Sequence, residues 1–219
     1  MDTEPDLPLT HVSRPGTVES NAPAVVLIHG RGTNERDLLP IGAQLPEDLH
    51  VLSVRAPRSM DGPDSYTWYD LDLSAGGLHA SQPDEKGFRR SLDLVHEFVD
   101  EAVEAYDLDP ERIGLLGFSQ GAITSLSALI ERPDVYRWVV ALNGYLARSH
   151  GDSAENAEGK PIFLGCGSAD QVIPPARAEH AAETLEAGGV DIRFETYNVG
   201  HGTTPTEISD VLEWLETRY

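Results

Sequence analysis

From about residue 24 to the C-terminus, short apolar runs alternate with longer stretches of helical periodicity. Residues 24–29, 51–54, 113–118, 138–142, 162–165 and 192–197 form the runs, most of them apolar with little interruption. A strand covered on both faces reads this way because neither face meets water, so the runs predict a mostly parallel sheet. Residues 7–12 predict one further strand, antiparallel and at an edge. Between the runs, Phe88, Leu92, Val95, Val99, Val103 and Tyr106 share one helical stripe, with Asp93, Glu97, Asp100, Glu101 and Glu104 turned outward. Residues 122–130 are apolar almost all round, as a helix packed deep against a sheet would be. Ala178, Ala181, Ala182 and Leu185 mark another helix, stopped by Gly188-Gly189. The last opens on a capping box, Thr204-Pro205-Thr206-Glu207, and carries Ile208, Val211, Leu212 and Leu215 on its stripe.

Strand and helix in alternation imply a three-layer α/β sandwich. Residues 55–83 and 149–160 follow no regular period. The first of these is rich in Gly, Pro, Ser and Asp, has an aromatic knot at Tyr66-Thr67-Trp68-Tyr69, and is long enough to be functional or disordered. No repeat or linker divides the chain, so residues 1–219 predict one domain around one core.

The candidate chemistry lies where the run 113–118 meets the helix 122–130, at Gly117-Phe118-Ser119-Gln120-Gly121. Gly-x-Ser-x-Gly by itself is a weak pattern, but a strand before it and a helix after it are the context that gives it meaning. A sharp turn there presents the serine hydroxyl above the sheet edge, and glycines at ±2 leave room for strand and helix to close together. The hydroxyl is a poor nucleophile until a histidine takes its proton and an acid orients that histidine. On such a scaffold the partners follow in the order Ser, acid, His, each beyond a later strand. Asp170 follows the run 162–165 and His201 follows the run 192–197, so Ser119, Asp170 and His201 are the predicted catalytic set. Asp152 is the alternative acid, in a polar loop. Among the other histidines, His29 precedes the serine at a strand end and is expected to shape the loop His29-Gly30-Arg31-Gly32. An oxyanion needs two fixed N–H donors, and the backbones of Gln120 and Arg31 are the candidates. The Arg31 side chain either faces outward or receives an anionic group.

Charge narrows the partners. The chain has 37 acidic against 16 basic residues, a formal net charge of −21, with Lys86 and Lys160 its only lysines. A surface of that sign repels phosphate backbones, which argues against nucleic-acid binding. Carboxylates in excess along the whole chain, with few lysine stems, resemble proteins of salt-accumulating halophiles; an acidic mesophilic protein is the alternative. No apolar run approaches the roughly 20 residues that span a bilayer. The acidic start Met1-Asp2-Thr3-Glu4-Pro5-Asp6 lacks a signal peptide's basic and apolar regions, so a cytoplasmic protein is expected. Cys166 is the single cysteine, within an apolar run, which excludes an intrachain disulfide and a cysteine-cluster zinc site.

In order along the chain, His29-Gly30-Arg31-Gly32, Trp68-Tyr69-Asp70, Gly117-Phe118-Ser119-Gln120-Gly121, Asp170-Gln171-Val172-Ile173-Pro174 and Gly200-His201 resemble the sequence blocks of the phospholipase/carboxylesterase family. The resemblance spans residues 24–219 and implies an α/β-hydrolase with a mostly parallel sheet, no separate lid domain, no cofactor and no metal. It implies a triad of Ser119, Asp170 and His201, and places Trp68 and Tyr69 near the substrate groove; the residues alone leave those aromatics equally open to a core role. Thr33 stands where many relatives carry an acid, and the segment after Gly30 is closer to the prokaryotic branch. A serine carboxylesterase acting on small or short-chain acyl esters is therefore expected over protein depalmitoylation. Thioester, lysophospholipid or aromatic (quinone) ring-cleavage hydrolysis are alternatives, a non-catalytic small-molecule-binding scaffold is a remote one, and a homodimer is conceivable.

Salt screens self-repulsion, so Tm is expected to rise as KCl is raised from about 0.1 M to about 1 M. A melting curve that falls or stays level over that range would remove the halophile reading.

Overall fold

The computed structural model describes residues 5–74 and 76–219. Most of the acidic start read for a missing signal peptide, residues 1–4, lies outside the described residues. Among the described residues, seven strands form the central sheet: β1 (His11–Arg14), β2 (Ala22–Ile28), β3 (His50–Val54), β4 (Leu108–Phe118), β5 (Tyr136–Leu142), β6 (Pro161–Gly167) and β7 (Asp191–Tyr197). Their spatial order is β1-β3-β2-β4-β5-β6-β7. All pairings are parallel except β1 on β3, where His11 faces Val54 and Arg14 faces Val51. The edge strand starts at His11 rather than residue 7, beyond Pro8, which has no N–H to give a ladder.

Four longer helices cover the sheet: α1 (Glu85–Ala105), α2 (Gln120–Glu131), α3 (Pro175–Ala187) and α4 (Pro205–Leu215). Successive strand residues point to opposite faces, and the core divides accordingly. Val26, Ile28, Leu115, Val139, Ala141 and Leu164 pack with the buried stripes of α1, α2 and α3. Val25, Leu27, Leu116, Val140, Leu142 and Phe163 pack with Val211, Trp214 and Leu215 of α4 on the other side. The result is the expected three-layer sandwich, and among the described residues no separate lid domain stands over it. Nor, among them, is any helix long and apolar enough to cross a membrane.

The two segments without a period hold short pieces of structure. Arg58–Ser59 pairs with Tyr66–Thr67, and Leu71–Asp72 pairs with Gln82–Pro83. Arg148–Gly151 is one helical turn and Ala154–Ala157 a 3-10 turn. Elements of two to four residues are too short to repeat a hydrophobic period, so the pattern does not register them. Strand β4 likewise begins at Leu108, five residues before its apolar run, through the polar stretch Asp109-Pro110-Glu111-Arg112.

The sheet order places the site. The chain runs outward from β2 to β3, then returns to lay β4 on the opposite side of β2. At such a switch point the loops beyond the two strands diverge and leave a crevice at the carboxyl edge. Ile28 pairs with Gly117 there, so the turn after β2 and the turn after β4 are neighbours.

Helix α4 carries a buried acid against the sheet. Thr204 caps it by accepting from the Glu207 N–H at 3.1 Å, and Pro205 takes the first position. The Glu207 side chain turns into the sheet, where a Cβ on Gly165 of β6 would lie 2.4 Å from its Oε1. Glu207 is fully buried and neither carboxyl oxygen has a partner within hydrogen-bond distance. Burial pushes its pKa up to about 7, against the smaller pull of the Thr204 backbone. The folded state thus holds this proton more tightly than the unfolded chain does. Its contribution is complete below the unfolded carboxyl range and is lost as pH rises through about 7. Glu207→Gln is accordingly expected to stabilise the protein at pH 8 by an amount on the order of 1–3 kcal/mol, with the gain vanishing near pH 4. Denaturant melts of both proteins at the two pH values check this; an equal difference at both would exclude it.

Candidate active site

Ser119 occupies the turn between β4 and α2 with φ 55° and ψ −117°, a conformation side chains rarely adopt. The turn is possible because of what is missing on either side. A Cβ on Gly117 would lie 2.2 Å from the Gly121 carbonyl oxygen, and one on Gly121 would lie 1.8 Å from that of Ile28. Any side chain at either position would push α2 off the sheet. The Ser119 N–H is fixed by the Leu142 carbonyl at 2.9 Å.

His201, in the turn after β7, brings Nε2 to 3.0 Å from Ser119 Oγ. Its Nδ1 lies 2.6 Å from Asp170 Oδ2. A carboxylate only accepts, so Nδ1 carries the proton and Nε2 is free to accept from the serine hydroxyl. Asp170 is 4% exposed, and its second oxygen accepts from the Val172 and Ile173 N–H groups at 2.8 and 2.9 Å. Those bonds replace the water lost on burial and leave Oδ2 aimed at the imidazole. Ser119, Asp170 and His201 are thus brought into one hydrogen-bonded chain. Asp152 has no place in it: it lies after the Arg148–Gly151 turn, lining a separate cleft.

Arg31 and Gln120 line the same cavity as Ser119. Gln120 is the first residue of α2, so its N–H has no acceptor within the helix. The Gln120 side chain works in the opposite direction, accepting from Thr67 Oγ1 at 3.0 Å and donating to the Tyr69 carbonyl at 3.0 Å. The loop carrying Arg31 is fastened by His29. The Ala56 N–H donates to His29 Nε2 at 3.0 Å, which leaves Nδ1–H to donate to the Gly30 carbonyl at 2.6 Å. Burial lowers the His29 pKa and keeps the ring neutral for that pair of bonds. Thr33 Oγ1 also donates to the Gly30 carbonyl, at 3.1 Å.

Trp68 and Tyr69 are not in the groove. Both are 0% exposed and neither lines the cavity at Ser119. Trp68 Nε1 donates to the His29 carbonyl at 2.9 Å, and the Tyr69 ring meets Phe88 of α1 edge-on at 4.9 Å. These aromatics bury too much apolar area to remain at the surface, and form the floor behind the Ser119 turn. Leu71, Ile123, Tyr145, Val172 and Ile173 instead surround Ser119, in a cavity of about 70 Å³.

Asn143, fully buried at the end of β5 with φ 53°, was not anticipated. Its Nδ2 donates to the Gly202 carbonyl at 2.9 Å, its Oδ1 accepts from Gly167 N–H at 3.0 Å, and its own N–H donates to the Gly165 carbonyl at 2.8 Å. It therefore ties the histidine loop to the strand that delivers Asp170. The dipeptide Asn143-Gly144 after an apolar run signals a turn, but not what the side chain reaches. Among the described residues, no group of three or more His, Cys, Asp and Glu side chains is placed to hold a metal ion. Burial pushes the Cys166 thiol up to about 11, which makes it inert as a nucleophile.

A sequence model described as Phospholipase/Carboxylesterase matches residues 12–219. The chain belongs to that family. It is 27% identical over 208 residues to the protein MhqD of Bacillus subtilis, covering 95% of this chain and 98% of that one. To acyl-protein thioesterase 1 of Eremothecium gossypii it is 31% identical over 208 residues, covering 88% and 86%. The Bacillus cereus carboxylesterase structure superposes with a TM-score of 0.82 at 26% identity, over 96% of this chain and 95% of that one. Esterase PE8 gives a TM-score of 0.85 at 25% identity, over 96% and 99%. The chain is thus an α/β-hydrolase of the esterase and thioesterase type, a hydrolase acting on ester bonds.

Asn143→Gly keeps the positive φ and removes only the side-chain ties. It is expected to lower kcat by roughly ten- to a hundredfold through misplacement of His201. Steady-state kinetics with a small ester check this, and a kcat equal to wild type would show that the histidine loop holds itself.

Proposed function

We propose that this enzyme is a serine carboxylesterase that cleaves small or short-chain acyl esters through an acyl-enzyme intermediate. The observation that carries the reading is the hydrogen-bonded chain Asp170–His201–Ser119 ending in a cavity of only about 70 Å³. That is about half the ~150 Å³ of a cavity that takes up benzene, so it suits an acyl group of about two to four carbons.

Ser119 Oγ attacks the ester carbonyl while its proton passes to His201 Nε2. Asp170 stabilises the imidazolium without taking the proton. The backbone N–H groups of Gln120 and Arg31 receive the developing oxyanion, and the positive end of α2 favours it. The tetrahedral intermediate collapses, His201 protonates the leaving alkoxide, and the alcohol departs. Water then attacks the acyl-Ser119 carbonyl, giving one proton to His201. Collapse of the second intermediate releases the carboxylic acid and restores the serine hydroxyl. One ester and one water yield one acid and one alcohol.

The same machinery attacks thioesters, and the likeness to an acyl-protein thioesterase favours that as the second reading.

Wild type is expected to hydrolyse p-nitrophenyl acetate and to form a fluorophosphonate adduct on Ser119. Ser119→Ala should lose at least about 10⁴-fold in kcat together with that adduct. Turnover retained by Ser119→Ala would overturn the mechanism. A higher kcat/KM on an acetyl thioester than on the matched oxygen ester would assign thioesters as the substrate class instead.

A further inference from the structure

Two hollows meet at one side chain. Tyr145 lines both the cavity of about 70 Å³ at Ser119 and an adjoining cleft of about 580 Å³ beside α3. Ser81 belongs to the first and its neighbour Gln82 to the second, so residues 81–82 and Tyr145 together form the partition. Beyond it the cleft is lined in part by the small side chains Ala147, Ala176 and Ala181.

The partition is clamped. Tyr145 is 3% exposed, and its hydroxyl donates to the Ser81 carbonyl at 3.0 Å. The Arg177 guanidinium lies over the Tyr145 ring, 3.3 Å from its centroid, and its Nη2 donates to the same carbonyl at 2.7 Å. One backbone oxygen therefore receives both side chains, and the ring is fixed by a cation on its face and a bond at its tip. Arg177 Nη1 is buried with no hydrogen-bond partner. A guanidinium held in that condition is positioned by its ring contact and its Ser81 bond rather than by solvent. The clamp joins three separate parts of the chain: the loop after Leu71–Asp72, the turn after β5, and α3.

We infer that Tyr145, held by Arg177 and the Ser81 carbonyl, is the specificity-determining residue that ends the acyl site. This rests on the esterase reading and deepens it. With the ring in place, an acyl chain on Ser119 meets a wall after a few carbons. With the ring removed, the cavity opens into the cleft, and the enzyme accepts medium-chain acyl esters, the chain lying against Leu146, Ala147, Ala176 and Ala181 among the cleft's polar side chains. Arg177 is the positioning residue that keeps the wall upright.

The test compares kcat/KM for p-nitrophenyl acetate and p-nitrophenyl octanoate, with fluorophosphonate labelling of Ser119 as the measure of an intact site. Tyr145→Ala is expected to raise the octanoate-to-acetate ratio about tenfold or more. Tyr145→Phe, which keeps the ring, should leave the ratio at its wild-type value. A Tyr145→Ala protein that labels normally but keeps the wild-type ratio overturns the proposal, as does a Tyr145→Phe ratio that rises as far as the alanine variant's. If Tyr145→Ala fails to fold by circular dichroism, Arg177→Met decides, since loosening the clamp should raise the ratio and an unchanged one overturns the idea. Wild type that neither hydrolyses acetate nor takes the label would instead remove the esterase reading, and this inference with it.

Discussion

Everything at the site depends on the close approach of α2 to β2 beneath a single strained residue. Ser119 is held at positive φ, at a cost on the order of 1–3 kcal/mol. What holds it is burial: residues 120–130 of α2 are all buried, in contact with the sheet and α1. The helix can settle that far only because Gly117 and Gly121 leave no Cβ in the gap. Gly30 extends the same condition to the neighbouring loop, where a Cβ would press on the Phe118 ring at 3.1 Å. Strain at Ser119 and tight packing beneath it are one arrangement.

The parallel sheet then brings the other groups to the same edge, since every central strand points its carboxyl end that way. Placement by strands is coarse, and buried polar side chains refine it. Asp170 uses three bonds to fix one oxygen toward His201. His29 and Gln120 bolt the loop after β2 and the start of α2 to the segment 56–69. Asn143 reaches 59 residues along the chain to the histidine loop. Each of these groups would cost more unpaired in the interior than its bond contributes when made, so each specifies a unique geometry.

The substrate side follows the same logic with a different outcome. The aromatic pair Trp68 and Tyr69 went to the core, while Tyr145 came to the cavity wall. All three are aromatic residues near turns, and the local pattern does not separate them. What separates them is the partner each finds. Trp68 and Tyr69 sit between the Ser119 turn and α1, whereas Tyr145 is pinned from behind by Arg177.

Much of the fold was legible because it is written in short-range terms. Uninterrupted apolar runs mark parallel strands, and a stripe at helical spacing marks α1. Thr204-Pro205-Thr206-Glu207 marks the start of α4, but only the Thr204 half of the expected capping box forms, because the Glu207 carboxyl turns into the sheet against Gly165 instead of bonding back to the cap. The order Ser119, Asp170, His201 after β4, β6 and β7 was likewise readable, because strand ends in a parallel sheet converge on one edge. The sequence by itself thus determined the layers, the turn at Ser119 and the candidates for each chemical role. Only the tertiary structure decided that Asn143 ties the histidine loop, that Trp68 and Tyr69 form a floor, and that Tyr145 and Arg177 close a wall. The physical reason is distance along the chain. Periodicity and turn chemistry act over a few residues, but hydrogen-bond satisfaction and packing join residues tens of positions apart, and only the folded chain settles which of them meet.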